Sequence, residues 1–134
     1  MQPDRVIETC LYVDDLDAAA AFYTRVLGLE IFASVPGRHV FFRSGQGMFL
    51  LFDAAETGKP GMPGIPPHGA TGPGHAAFAI PEKDLDAWRQ KLAAEGVDIE
   101  SDFEWPNGGR SLYFRDPAGN SIEVTTPRTW KLDA

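Results

Sequence analysis

Hydrophobic and polar positions change period twice along the chain, in the same order each time. Residues 8–13, "ETCLYV", alternate like a half-buried strand. From residue 16 the apolar positions fall at Leu16, Ala19, Ala20, Tyr23, Val26 and Leu27, one stripe of a helix over 16–27. Asp15 stands where an N-cap belongs, and Gly28 where the chain must leave the helix through a left-handed conformation. Extended stretches follow near 30–35, 38–43 and 48–53, separated by the turn texts "VPGR" and "SGQG". The second passage begins with "GHAAFAI" at 74–80. It continues with a helix over 82–95 that has Pro81 near its start, Leu85, Trp88 and Leu92 on one face, and Gly96 at its end. Three more extended stretches lie near 98–104, 110–115 and 120–125, around the turns "WPNGG" and "DPAGN".

"DLDA" occurs at 15–18 and again at 84–87, at the entrance to each helix. Each half therefore reads β-α-β-β-β, and the class is α+β. The expected organisation is a single domain over 1–134: module one at 1–53, a Gly/Pro-rich linker at 54–73, module two at 74–126 and a C-terminal tail at 127–134. The text "AAETGKPGMPGIPPHGATGPG" shows no periodicity, and a loop of that length is either a plain linker or a pocket rim.

Strand alternation also sorts the polar residues by face. With Leu11 and Val13 toward the helix, Glu8, Cys10 and Tyr12 share the opposite face. In the second module Ala76, Phe78 and Ile80 face the helix, leaving His75, Ala77 and Ala79 on the other side. Glu8 and His75 are thus equivalent positions of the repeat. In "NSIEVTTP", Glu123 is flanked by Ile122 and Val124 and points away from their apolar side. One imidazole and two carboxylates suit a divalent transition metal with positions left for water or substrate. The plainer reading is a strand-opening histidine and two solvated acids. Tyr113 shares a face with Arg115, as a hydrogen-bond donor to substrate or as a core aromatic. Cys10 and Tyr12 would line a pocket, Cys10 as a small buried residue rather than a nucleophile. Arg110 is either an anion contact or a solvated charge, and neither His39 nor His68 is expected to bind metal.

Charge and composition narrow the partners. A net charge of −7 excludes a basic face for nucleic acid and disfavours an anionic membrane surface. No apolar run approaches the roughly 20 residues of a membrane span, and "MQPDRVIETC" has neither the basic nor the apolar part of a signal peptide. The single cysteine, Cys10, cannot form an internal disulfide. A cytoplasmic protein is expected.

The texts "TCLYVDDLDAAAAFYTRVLGLEIF", "GHAAFAI" and "YFRDPAGNSIEV", in that order, resemble the vicinal oxygen chelate superfamily. It includes glyoxalase I, fosfomycin-resistance transferases, methylmalonyl-CoA epimerase, extradiol dioxygenases and bleomycin-resistance proteins. The resemblance implies two βαβββ modules forming a cup-shaped mixed sheet around a metal, with helices outside. It implies a ligand on the first strand of each module and a glutamate on the last. Carried over, these are Glu8, where relatives have histidine or glutamine, His75 and Glu123. A fourth position, glutamate in glyoxalase I, falls near Leu50, which has no donor.

The implied protein is a metal-dependent isomerase, lyase or dioxygenase holding one divalent ion (Zn, Ni, Mn or Fe). It would chelate two oxygens of a small metabolite, with Glu123, Glu8 and Tyr113 as catalytic groups. Cys10, Tyr12, Trp105 and Arg115 would line the substrate pocket. The rival is a non-catalytic drug-binding protein of the bleomycin-resistance type, with Phe41, Phe49, Phe52 and Trp105 as stacking surface. A homodimer is expected, with Glu8 joining His75 and Glu123 of its own chain or of its partner.

Overall fold

A computed structural model of the chain describes residues 1–60 and 63–132. The chain divides into two compact units, Met1–Gly74 and His75–Ala134. In the first unit the order is β1 (Glu8–Tyr12), α1 (Leu16–Leu27), β2 (Glu30–Val35), β3 (His39–Ser44), β4 (Gly47–Phe52) and a single turn, α2 (Ala54–Thr57). In the second it is β5 (His75–Ala79), a 3-10 turn (Glu82–Asp84), α3 (Leu85–Ala94), β6 (Ser101–Glu104), β7 (Arg110–Arg115), β8 (Ser121–Thr125) and a 3-10 turn (Pro127–Trp130). Each unit is one βαβββ module, with the sheet orders β1-β4-β3-β2 and β5-β8-β7-β6. In each sheet the first strand runs parallel to the last and the remaining pairs are antiparallel. No helix among the described residues is long and apolar enough to cross a membrane.

Helix α1 forms where its caps dictate. The Asp15 carboxylate accepts the amide of Ala18 at 3.0 Å, and Gly28, at φ 67°, lets the amide of Leu29 reach the carbonyl of Tyr23. Its buried stripe is Leu16, Ala19, Phe22, Tyr23 and Val26, so Phe22 joins the core while Ala20 and Leu27 lie half-buried at its margin. Tyr23 packs on Phe49 and Phe42, ring centroids 4.9 and 6.1 Å away. Phe49 therefore belongs to the core and not to the stacking surface expected with Phe41 and Phe52. It sits in odd register with them on β4, and alternation sends it to the helix side.

Module two differs more from expectation. The expected start at residue 82 is a 3-10 turn that follows Pro81, and the α-helix begins at Leu85 with no capping bond from the Asp84 side chain. Leu85 and Leu92 anchor it in the core. Residues 98–100 stay outside the ladder apart from the Glu100 amide, which donates to the carbonyl of Tyr113 at 2.7 Å. The linker carries one helical turn that its lack of periodicity hid: Asp53 accepts the amide of Ala55 at 2.9 Å, and Thr57 is buried.

Register places the open faces. On the first sheet Glu8, Met48 and Arg43 form one row, Cys10, Leu50 and Phe41 the next, and Tyr12, Phe52 and His39 the third. On the second sheet the equivalent rows are His75, Ser121 and Arg115; Ala77, Glu123 and Tyr113; and Ala79, Thr125 and Ser111. Leu50 and Glu123 thus hold equivalent places in the repeat.

Candidate metal and substrate site

The turn "DPAGN" sets the geometry of the second open face. Asp116 accepts the amides of Ala118 and Asn120 through Oδ1 and the Asn120 side-chain amide through Oδ2, and Gly119 takes φ 89°. The motif that carries the family resemblance is thus a turn with an exposed tip and two buried ends, Asp116 and Asn120. Its work is to fix the β7–β8 register, which puts Tyr113 opposite Glu123.

On that face the His75 Nε2 lies 3.4 Å from Glu123 Oε1, with His75 half-exposed and the Glu123 side chain only 8% exposed. His75 Nδ1 lies 3.0 Å from the carbonyl oxygen of Ser121. A carbonyl can only accept, so Nδ1 carries the proton, and in the neutral ring Nε2 presents a lone pair to the carboxylate. Two acceptors face to face call for a proton or a cation between them. Their separation is close to that of two ligands each ~2.1 Å from one zinc in a tetrahedral shell. A backbone carbonyl holding the far nitrogen is also how metal-ligating histidines are commonly oriented. The donor pair fits a divalent ion.

Glu123 is buried as a carboxylate because hydroxyls compensate it. Ser111 donates to Oε2 at 2.5 Å. The Tyr113 ring stacks near His75, centroids 6.3 Å apart, and its hydroxyl is pushed above the usual phenol range, first by burial and then by the charge of Glu123. Tyr113 is therefore a neutral donor at physiological pH. Arg115 instead lies along Glu100, with its Nε 3.0 Å and Nη2 3.2 Å from the two carboxylate oxygens, and also donates to the carbonyl of Gly119. Trp105 gives its indole N–H to Ser111 at 2.8 Å.

In the first unit, Tyr12 and His68 hydrogen-bond at 2.7 Å, which ties the Gly/Pro linker to β1. His39 stacks flat on Phe41, centroids 4.0 Å apart, and its Nδ1 accepts from Arg38 at 2.8 Å. Burial and then the Arg38 charge lower its pKa from 6.5. Tyr12 is raised by burial and by its neighbour Cys10. Glu8 sits at the exposed end of this face, in the place His75 occupies in the second unit. Among the described residues no group of three or more His, Cys, Asp and Glu side chains stands together as a metal site. The structure thus joins His75, Glu123 and Tyr113 in one cluster. Ser111 was missed from the sequence, although its alternation with Tyr113 and Arg115 placed it on the same face.

A family model for the Glyoxalase/Bleomycin resistance protein/Dioxygenase superfamily matches residues 5–124. The chain belongs to this superfamily. A crystal structure of lactoylglutathione lyase from Agrobacterium tumefaciens is 44% identical, with 98% of this chain and 99% of that chain covered and a TM-score of 0.94. A metallothiol transferase of Shouchella clausii is 43% identical over 54 residues, 39% of this chain and 37% of that protein. A catechol-2,3-dioxygenase of Bacillus subtilis is 25% identical over 127 residues, 92% of this chain and 42% of that protein. The match thus spans well under half the length of these two curated superfamily relatives.

Proposed function

We propose that the protein is a metal-dependent enzyme acting on a small molecule with two adjacent oxygens. The observation that carries this reading is the His75–Glu123 pair, with His75 Nε2 and a carboxylate oxygen of Glu123 3.4 Å apart on an open sheet face. Lyase or isomerase chemistry is preferred to ring cleavage, because the full-length likeness is to a lactoylglutathione lyase. Glu8 is proposed as a third ligand on the strength of the sequence repeat, a homodimer on the family resemblance, and a cytoplasmic location on the composition of the chain.

A bound divalent ion (Zn, Ni, Mn or Fe) would polarise a substrate carbonyl or hydroxyl as a Lewis acid. One carboxylate, Glu8 or Glu123, would have to leave the ion before it takes a proton from a carbon beside that carbonyl. Tyr113, kept neutral, donates a hydrogen bond to a substrate oxygen as charge develops on it.

Elemental analysis of protein purified without added metal, beside Glu123→Ala and His75→Ala, tests the reading. The expected result is a near-stoichiometric divalent metal in the parent protein and its loss in both variants. No metal in the parent protein, together with equal ligand binding before and after chelator treatment, would overturn it. That outcome would favour a non-catalytic binder using the His39, Phe41 and Phe52 surface.

A further inference from the structure

Behind Glu123 lies a chain of hydroxyls whose direction is fixed at both ends. The indole N–H of Trp105 can only donate, and it reaches Ser111 Oγ at 2.8 Å. The Glu123 carboxylate can only accept, and its Oε2 lies 2.5 Å from the same Oγ. Ser111 is fully buried and has one proton, so that proton points to Glu123. Its remaining lone pair is open to Thr125, whose Oγ1 lies 2.8 Å away; the one Thr125 proton is shared between Ser111 and the carbonyl of Arg110 at 3.2 Å, and Thr129 Oγ1 lies 2.9 Å from the same hydroxyl. The fixed direction runs from Trp105 through Ser111 into one oxygen of Glu123, with Thr125 and Thr129 packed behind Ser111.

The two oxygens of Glu123 are thereby given different work. Oε2 is tied to the protein, and Oε1 is the one left facing His75. We infer that Ser111, oriented by Trp105 and Thr125, is a positioning residue that makes Glu123 a one-oxygen ligand through Oε1. The inference rests on the proposed metal site. A carboxylate without this tether would turn, bind through either oxygen and lose the alignment of Oε1 with His75. Trp105 then acts through Ser111 rather than by stacking on substrate.

The test is Co²⁺ titration of the apoprotein, read by calorimetry and by the visible absorption of the bound ion, for the parent protein, Ser111→Ala, Trp105→Phe and Thr125→Val. Ser111→Ala is expected to weaken Co²⁺ binding by about 10–100-fold, the usual scale for losing a group that orients a ligand, and to shift the absorption bands. Trp105→Phe and Thr125→Val keep the packing while removing one donor each, and are expected to weaken binding less, in the same direction. A merely structural role would lower the melting temperature and leave affinity and bands unchanged in folded variants. Parent-like affinity and bands in Ser111→Ala would overturn the inference. If that variant does not fold, parent-like behaviour of both Trp105→Phe and Thr125→Val overturns it instead. A parent protein that binds no Co²⁺ removes the metal reading itself, which is a separate outcome.

Discussion

At the scale of single residues, the open faces are built from side chains whose protonation is set by their neighbours. His39 accepts from Arg38 through Nδ1, so its neutral ring carries the proton on Nε2, and both burial and the guanidinium oppose a second proton. Its pKa is lowered on folding, so the unfolded chain binds that proton more readily than the folded one. The stabilising effect is complete above 6.5 and fades as the pH falls below that value toward the folded pKa. Urea unfolding of His39→Gln and the parent protein between pH 5 and 7 checks this. The parent should lose stability on acidification more steeply than the variant, and equal slopes would show that His39 contributes nothing to the pH dependence.

At the scale of elements, two turns decide where the chemistry lies. The Asp116–Asn120 turn fixes the β7–β8 register, and the second brings the terminal 3-10 turn onto β7. There Gly109 is buried, and a Cβ on it would lie 2.6 Å from Thr129 Cα and 2.7 Å from Thr129 N. Backbone cannot yield that much, so Gly109→Ala must push the turn away. The expected cost is about 1–3 kcal/mol, the range for overpacking, read as a lower midpoint of chemical unfolding. The same variant should weaken Co²⁺ binding by loosening Thr129 and Thr125. An unchanged midpoint would mean that the turn is not held where the structure puts it.

Much of this could be read from the sequence, and the residues that could not were hidden for identifiable reasons. Helix α1 appeared with its true ends because Asp15 and Gly28 act locally. Glu8, His75 and Glu123 were assigned to open faces by alternation alone, and the ladders agree. The start of α3 was misplaced because Pro81 leads into a 3-10 turn before the α-helix, and a Pro at that place marks either kind of entry. Phe49 was put with its aromatic neighbours, against its parity. Ser111 escaped notice because a serine in a strand carries no sign of what lies across the sheet. Its partners Trp105, Glu123 and Thr125 are 6, 12 and 14 residues away along the chain.

At the scale of the whole molecule, the two modules repeat in fold but not in chemistry. Where the second sheet has Glu123, Tyr113 and Ser111, the first has Leu50, Phe41 and His39 in the same rows. Phe41→Ala, which removes no donor atom, is therefore expected to leave the metal content at the parent level, read by elemental analysis. Metal loss in that folded variant would show that the donors of these rows do not set where the ion binds.

The equivalence of Leu50 and Glu123 has a consequence for how such a protein can change. A repeated module offers two copies of one scaffold, and here only one copy keeps the acid. Apart from Glu8, the surface of the first module is free to drift toward new ligands by ordinary apolar substitutions. The second cannot drift far without losing the hydroxyl chain behind Glu123. Replacement is then expected to be tolerated more readily at half-buried Phe41 than at Ser111 or Glu123.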